Sequence, residues 1–185
     1  MTELLHVLTI FAISLLASCV ATAMLRKVLI NKSILDNPNE RSSHTIPTPR
    51  GGGLALMGII LLGWAGHGSA SLAPLPGFWF IFIGSIVLMA ISWLDDLKNL
   101  SPKFRLLIQI IVVVISLWGI NHDGQEIKLF PAIIPQWVDY IFIGLSWVWF
   151  INLYNFMDGI DGITGVETST ITLGVVLIAS YFSWQ

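Results

Sequence analysis

The chain has 185 residues, of which 55% are hydrophobic and 11% are charged, and its mean hydropathy is +0.81. Because a soluble domain carries about a quarter charged residues, this composition excludes an ordinary soluble domain and predicts an all-α integral membrane protein. The net charge of −2 gives no reason to expect nucleic acid as a partner, and the single Cys19 excludes an internal disulfide framework.

Hydropathy predicts about six transmembrane helices within a single membrane domain, residues 1–185. A helix needs about 20 mainly apolar residues to cross the hydrocarbon core, and the second and fourth apolar stretches are the shortest. In chain order, the predicted spans are Leu4–Leu25, Gly52–Gly66, Phe78–Leu94, Leu106–Ile120, Val138–Tyr154 and Ile163–Tyr181.

The basic residues predict the orientation of these spans. Five of the nine Lys and Arg residues lie between spans one and two, three lie between spans three and four, and only Lys128 falls in a loop on the other side. By the positive-inside rule, this bias places the N-terminus outside. Three polar segments, near residues 26–51, 95–105 and 155–167, should therefore share the cytoplasmic face.

The first polar segment is "DNPNERSSHTIPTPRGGG", Asp36–Gly53. Its three prolines and three glycines exclude a regular helix and predict a shaped loop. The loop carries Arg41, His44 and Arg50, and arginines beside exposed backbone N–H groups are typical of phosphate binding. The alternative is a basic loop that is attracted to anionic lipid headgroups.

The second polar segment is "SWLDDLKNLSPKFR", Ser92–Arg105, with adjacent carboxylates at Asp95 and Asp96. Two neighbouring carboxylates repel each other and need a counter-charge. Lys98 and Lys103 could supply that charge in a solvated corner. A Mg²⁺ ion would also satisfy the pair, because Mg²⁺ favours one or two carboxylates together with phosphate oxygens and water.

The third polar segment, "NLYNFMDGIDG", directly follows the apolar run "IFIGLSWVWFI". In a helix its polar residues would recur every three positions along one slowly drifting stripe, and they offer only oxygen ligands, which suit a hard cation. Groups of this kind near hydrocarbon are costly, so a phosphate and Mg²⁺ site is favoured over simple helix capping. These residues are Asn152, Asn155, Asp158 and Asp161.

The three motifs, in this order and spacing, resemble the polyprenyl-phosphate N-acetylhexosamine-1-phosphate transferases, a family that includes the phospho-N-acetylmuramoyl-pentapeptide transferases. The sequences "PNERSSH…PTPRGGG" and "NFMDGIDG" are more similar to the O-antigen and enterobacterial-common-antigen type members than to the phospho-N-acetylmuramoyl-pentapeptide transferases. The resemblance covers essentially the whole chain. It implies transfer of a sugar-1-phosphate from a UDP-N-acetylhexosamine to polyprenyl (undecaprenyl) phosphate at the bacterial plasma membrane, with release of UMP.

The resemblance also implies roles for the residues of the motifs. Asp95, Asp96, Asp158 and Asp161 would be catalytic. The metal, Mg²⁺ with Mn²⁺ as an alternative, would contact Asn155, Asp158, Asp95 and Asp96. The substrates would contact Asp36, Arg41, His44, Arg50, Lys98, Lys103 and Asn152. The surrounding membrane lipids are further expected partners.

The resemblance leaves the chain with an incomplete set of family features. Members typically have ten or eleven spans and a further acidic position and basic loop in a second half, so the chain is expected to correspond to the N-terminal half. The expected partner is then a C-terminal half or a second copy in a homodimer. The alternative function is that of a catalytically inactive truncated homologue that acts as a binding or scaffold protein. A transporter is disfavoured because no acidic residue lies in the middle of a predicted span.

Overall fold

A computed structural model of the chain describes residues 2–36, 46–70, 75–124, 126–130, 134–157 and 163–183. Helices dominate these residues, which confirms the all-α prediction, and two very short antiparallel strands accompany them. In chain order the elements are α1 (Thr2–Asn31), β1 (Leu35–Asp36), β2 (Thr48–Pro49), α2 (Gly53–Ala70), α3 (Phe78–Lys98), α4 (Pro102–His122), α5 (Gln136–Met157) and α6 (Ile163–Ser183).

Five of the described helices are long and apolar enough to cross a membrane, whereas the apolar stretch of α2, Gly53–Gly66, is shorter. The fourth predicted span was drawn too short, because α4 begins at Pro102 and includes the polar residues before Leu106. The first was also too short, because α1 continues past Leu25 to Asn31 and includes two basic residues. Long basic side chains can reach the membrane interface from within a helix, so charge alone does not end one.

Helix α4 packs between α3 and α5. On the α3 side, Gly84 lies against Val112 and Ser116, where an added Cβ would come within 2.7 Å of the valine side chain. On the α5 side, Gly144 lies against Leu117 and Val113. Small residues let helix backbones approach closely, which is how membrane helices gain packing energy without a hydrophobic driving force. The core therefore lies along α4, where Val113 and Ser116 are each only 1% exposed.

The outer surface of the bundle is apolar. In the apolar windows of α1 and α6 no residue is buried within the chain, and long aliphatic and aromatic side chains project from both helices. Such a surface is stable only where lipid replaces water, so the chain is a membrane protein.

The bundle has two polar ends, which we name after one carboxylate each. The Asp95 end comprises residues 46–53, 95–109 and 152–157, where α3 and α5 end and α4 begins. The Asp139 end comprises residues 75–78, 119–124, 126–130 and 134–140, where α4 ends and α3 and α5 begin.

The Asp139 end is closed by carboxylates that accept hydrogen bonds from backbone N–H groups. Asp139 is 2% exposed, and its Oδ1 accepts from the backbone N of Leu129 at 2.9 Å and of Phe130 at 3.0 Å. Asp123 Oδ2 accepts from the backbone N of Gly77 at 2.7 Å. These bonds join the connecting segments to the helix ends. The sequence analysis did not single out these acids.

The same end carries an exposed ion pair between Glu126 and Lys128. Glu126 lies 2.8 Å from the ammonium of Lys128 and raises the pKa of that lysine through a hydrogen bond and charge attraction. An exposed pair of this kind contributes little to stability.

Candidate active site at the Asp95 end

The corner between α3 and α4 is tight because each helix is capped locally. Asn99 ends α3 in the left-handed conformation, at φ 50°, and its N–H donates to the carbonyl of Asp95 at 2.8 Å. Ser101 begins α4, accepts a hydrogen bond from the backbone N of Phe104 at 3.3 Å, and precedes Pro102 at the first helical position. A three-residue corner between antiparallel helices places the first turns of α4 beside the last turns of α3.

Arg105 supplies the counter-charge for Asp95. Its Nη1 lies 2.5 Å from Oδ2 of Asp95, and the side chains of the arginine and aspartate are 31% and 21% exposed. Of the counter-charges considered for the acidic pair, Lys98 and Lys103 are therefore not the ones that Asp95 uses in the structure. Within the described part of the chain, both lysines are exposed and form no ion pair. Lys103 is two positions before Arg105, about 200° around the helix, and so projects from a different face.

The polar loop before α2 is anchored to the end of α3. Arg50 Nη1 donates to the backbone carbonyl of Asp96 at 2.9 Å. Gly51 has φ +89°, and a Cβ there would overlap the indole ring of Trp93. Glycine is thus required by both the backbone angle and the close approach.

The two strands close the base of the same loop. Asp36 pairs in register with Thr48, and the N–H of Arg50 donates to the carbonyl of Ile34 at 3.3 Å. The predicted substrate contact Asp36 therefore lies on the ladder that leads to Arg50.

Asn152 is held to α4 by a residue that the sequence analysis missed. Its Nδ2 donates to Oε1 of Gln109 at 2.6 Å and to the carbonyl of Val148, one turn earlier in α5, at 2.8 Å. Gln109 is one turn after Arg105, so two neighbouring positions on α4 hold the ends of α3 and α5. The signal in the sequence was a pair of polar residues four apart at the start of an otherwise apolar helix.

Tyr154, which belongs to the third motif, connects α5 to α6. Its hydroxyl contacts the hydroxyl of Thr168 and lies 3.3 Å from the carbonyl of Thr164. The segment between these two helices carries Asp158 and Asp161. Asn155, on the last turns of α5, is exposed.

The structure brings part of the predicted site together. Asp95, Asp96, Arg50 and Asn152 converge on the Asp95 end through the contacts above, and Asn155, Lys98 and Lys103 lie at the same end on exposed surface. Four predicted residues lie outside the described residues: Arg41, His44, Asp158 and Asp161.

A divalent metal remains a prediction. In the ranges that the structure describes, no three His, Cys, Asp or Glu side chains come together as a metal cluster. The donors that are described suit a hard cation, because Asp95, Asp96 and Asn155 offer only oxygen and amide groups. At Asp95, Arg105 engages Oδ2, and Oδ1 has no partner among the described residues.

An apolar groove of about 670 Å³ runs between α4 and α5 from this end toward the Asp139 end. Leu106 and Val148 line it near the Asp95 end. Leu106 follows Arg105 in the sequence, and the carbonyl of Val148 accepts the hydrogen bond from Asn152. Asn121 and Tyr140 line it at the far end, where the tyrosine hydroxyl donates to the asparagine at 2.8 Å. The groove is thus an apolar cavity between two membrane-spanning helices that begins at the charged Asp95 end.

Comparison with known proteins gives a family match. The model of glycosyl transferase family 4 matches residues 78–185. A Bacillus subtilis protein named probable undecaprenyl-phosphate N-acetylglucosaminyl 1-phosphate transferase is 25% identical over 96% of this chain and 48% of its own length. A Thermotoga maritima undecaprenyl-phosphate alpha-N-acetylglucosaminyl 1-phosphate transferase is 28% identical over 77% of this chain and 42% of its own length.

A phospho-N-acetylmuramoyl-pentapeptide transferase matches as well. A Pelagibacter ubique phospho-N-acetylmuramoyl-pentapeptide-transferase is 28% identical over 86% of this chain and 46% of its own length. The chain thus spans about half the length of the curated relatives it matches. No solved structure matches.

Proposed function

Since the chain belongs to glycosyl transferase family 4, we propose that it takes part in transferring an N-acetylhexosamine-1-phosphate from a UDP-sugar to polyprenyl phosphate, with release of UMP. The relatives are named for undecaprenyl phosphate and N-acetylglucosaminyl 1-phosphate transfer, which supports the acceptor and the transferred group. We place the reaction at the cytoplasmic face of the bacterial plasma membrane, as the start of lipid-linked surface glycan synthesis of the O-antigen type.

The observation that carries this proposal is that a carboxylate–arginine pair lies at an end of the bundle where an apolar groove begins. Asp95 and Arg105 lie at the Asp95 end, and the next residue, Leu106, lines the groove between α4 and α5. A polyprenyl phosphate likewise has a charged part and an apolar part, an anionic phosphate head and a long hydrocarbon chain. The groove would hold part of the chain while its phosphate reaches the polar end.

The bond changes are balanced. An oxygen of the acceptor phosphate attacks the phosphorus that carries the sugar, the phosphoanhydride of the UDP-sugar breaks, and its bridging oxygen leaves with UMP. Donor and acceptor are both anionic, so positioning and neutralisation of charge account for most of the catalysis in such reactions.

The residues of the chain have distinct tasks in this scheme. Arg105 pairs with Asp95 and fixes the position of its carboxylate, and Asp95 and Asp96 contact the acceptor phosphate or the metal. Arg50, Lys98 and Lys103 bind phosphate oxygens.

The third motif would complete the site. Asn155 and Asp158 would be metal or diphosphate ligands, and Asp161 would lie on the nucleotide side. In the first motif, Asp36, Arg41 and His44 would contact the substrates. A bound Mg²⁺ would neutralise the diphosphate and would be held by Asp95, Asp96, Asn155 and Asp158.

Isotope exchange tests this proposal. Similar phosphoanhydrides are broken and made, so the reaction should be freely reversible, and radiolabelled UMP should enter UDP-N-acetylhexosamine when polyprenyl phosphate and Mg²⁺ are present. The assay should use reconstituted membranes, with residues 1–185 alone and with the whole reading frame that encodes them. Omission of the lipid or addition of EDTA should abolish exchange. Exchange in EDTA would contradict the metal, and no exchange from either preparation would contradict the transferase.

A further inference from the structure

Gln109 is a polar residue two turns into α4, and the proposed function gives it no task. It is flanked by apolar residues in the run "LLIQIIVVV". An uncompensated carboxamide next to hydrocarbon is costly, so its partner shows what it does.

That partner is the carboxamide of Asn152. Oε1 of Gln109 accepts from Nδ2 of Asn152 at 2.6 Å, and the same nitrogen donates to the carbonyl of Val148 at 2.8 Å. The two acceptors match the two hydrogens of the amide nitrogen. Among the described residues, Oδ1 of Asn152 accepts no hydrogen bond.

These two hydrogen bonds decide which atom of the Asn152 carboxamide, the oxygen or the nitrogen, can bind a ligand. The amide oxygen and nitrogen are nearly equal in size, and rotation about the terminal torsion would exchange them at little steric cost. With Gln109 and Val148 both acting as acceptors, only one of the two orientations keeps both bonds. The oxygen is then the atom left to bind a donor.

We propose that Gln109 is a positioning residue for the transfer reaction, an inference that rests on the proposed function. It holds Nδ2 of Asn152 so that Oδ1 binds a donor group of the substrate, a hydroxyl or an amide N–H of the donor sugar. Because Arg105 precedes Gln109 by one turn and pairs with Asp95, the start of α4 sets the positions of Asp95 and Asn152 together.

The test compares two substitutions of nearly equal size in the preparation that shows UMP exchange. Gln109→Met removes the acceptor, and Gln109→Glu keeps an oxygen that accepts from Nδ2. We expect Gln109→Met to lower the exchange rate about tenfold, as loss of positioning does, and Gln109→Glu to keep most of the rate. The control is Ser116→Ala, a buried polar position elsewhere on α4, which should leave exchange unchanged.

A double variant then shows whether Gln109 acts through Asn152. In an Asn152→Ala background, Gln109→Met should cause no further loss of exchange, because the amide that it orients is gone. Losses that add would show that Gln109 does not act through Asn152. A merely structural role would lower the amount of folded protein and leave the exchange rate per folded molecule unchanged in Gln109→Met. Either result overturns the role of Gln109.

The two proposals fail in different ways. Absence of exchange in the unsubstituted protein contradicts the transferase and with it the role of Gln109. Normal exchange that Gln109→Met leaves unchanged contradicts the role of Gln109 alone.

Discussion

The two polar ends of the bundle use carboxylates differently. At the Asp139 end, Asp139 and Asp123 accept hydrogen bonds from backbone N–H groups and fix the connecting segments. At the Asp95 end, Asp95 meets the side chain of Arg105 and remains 21% exposed. Burial of an acid near hydrocarbon is therefore not by itself a sign of function. The kind of partner and the access to it separate the two roles.

The largest expected difference between the ends is their side of the membrane. In a Cys19→Ser background, cysteine replaces Lys103 at the Asp95 end or Glu126 at the Asp139 end, both exposed positions. The charge bias predicts that a membrane-impermeant thiol reagent labels Glu126→Cys in intact cells and Lys103→Cys only after the inner face is opened. The reverse labelling would contradict the proposed cytoplasmic site.

The next difference is in stability. Asp139→Leu would leave the N–H groups of Leu129 and Phe130 without an acceptor, and we expect the free energy of unfolding in mixed micelles to fall by roughly 2–4 kcal/mol. Asp139→Asn is the matched control. It keeps an acceptor oxygen and should cost only about 1 kcal/mol. Equal losses for the two variants would mean that these hydrogen bonds do not hold the Asp139 end together.

The smallest expected difference is between the effects of two basic residues at the Asp95 end, Arg105 and Lys103, on UMP exchange. Arg105→Leu removes the ion pair with Asp95, so we expect UMP exchange to fall about tenfold or more. Lys103→Leu, two residues away and without an ion pair in the described structure, should have a smaller effect because it loses only attraction for phosphate. A greater loss from Lys103→Leu would show that the Asp95–Arg105 pair is not what organises this end.

The helices and the motifs were predictable from local information. Apolar runs identify α3 to α6, and "NLSP" encodes the corner before Arg105 through a left-handed Asn99, the cap Ser101 and Pro102. The family resemblance followed from the same motifs and is confirmed for residues 78–185.

The partners of the polar residues were not predictable in the same way. Arg105 and Gln109 lie four apart and so share a face of α4, but which helix each contacts depends on how α3, α4 and α5 pack. Asp139 is buried and accepts a hydrogen bond from the backbone N of Leu129, a contact that its local sequence does not show. Long-range pairings of this kind arise from tertiary structure, which a periodic pattern does not contain.

The most direct test of this account applies the same chemical change to both ends. Asp95→Asn and Asp139→Asn each remove one charge and keep the shape of the side chain. In the UMP exchange assay, corrected for the amount of folded protein, Asp95→Asn should retain less than about a tenth of the rate, a loss of roughly 1.4 kcal/mol or more in barrier. Asp158→Asn should behave like Asp95→Asn, and Asp139→Asn should retain most of the rate. Retention by Asp95→Asn, or an equal loss from Asp139→Asn, would contradict the assignment of the reaction to the Asp95 end.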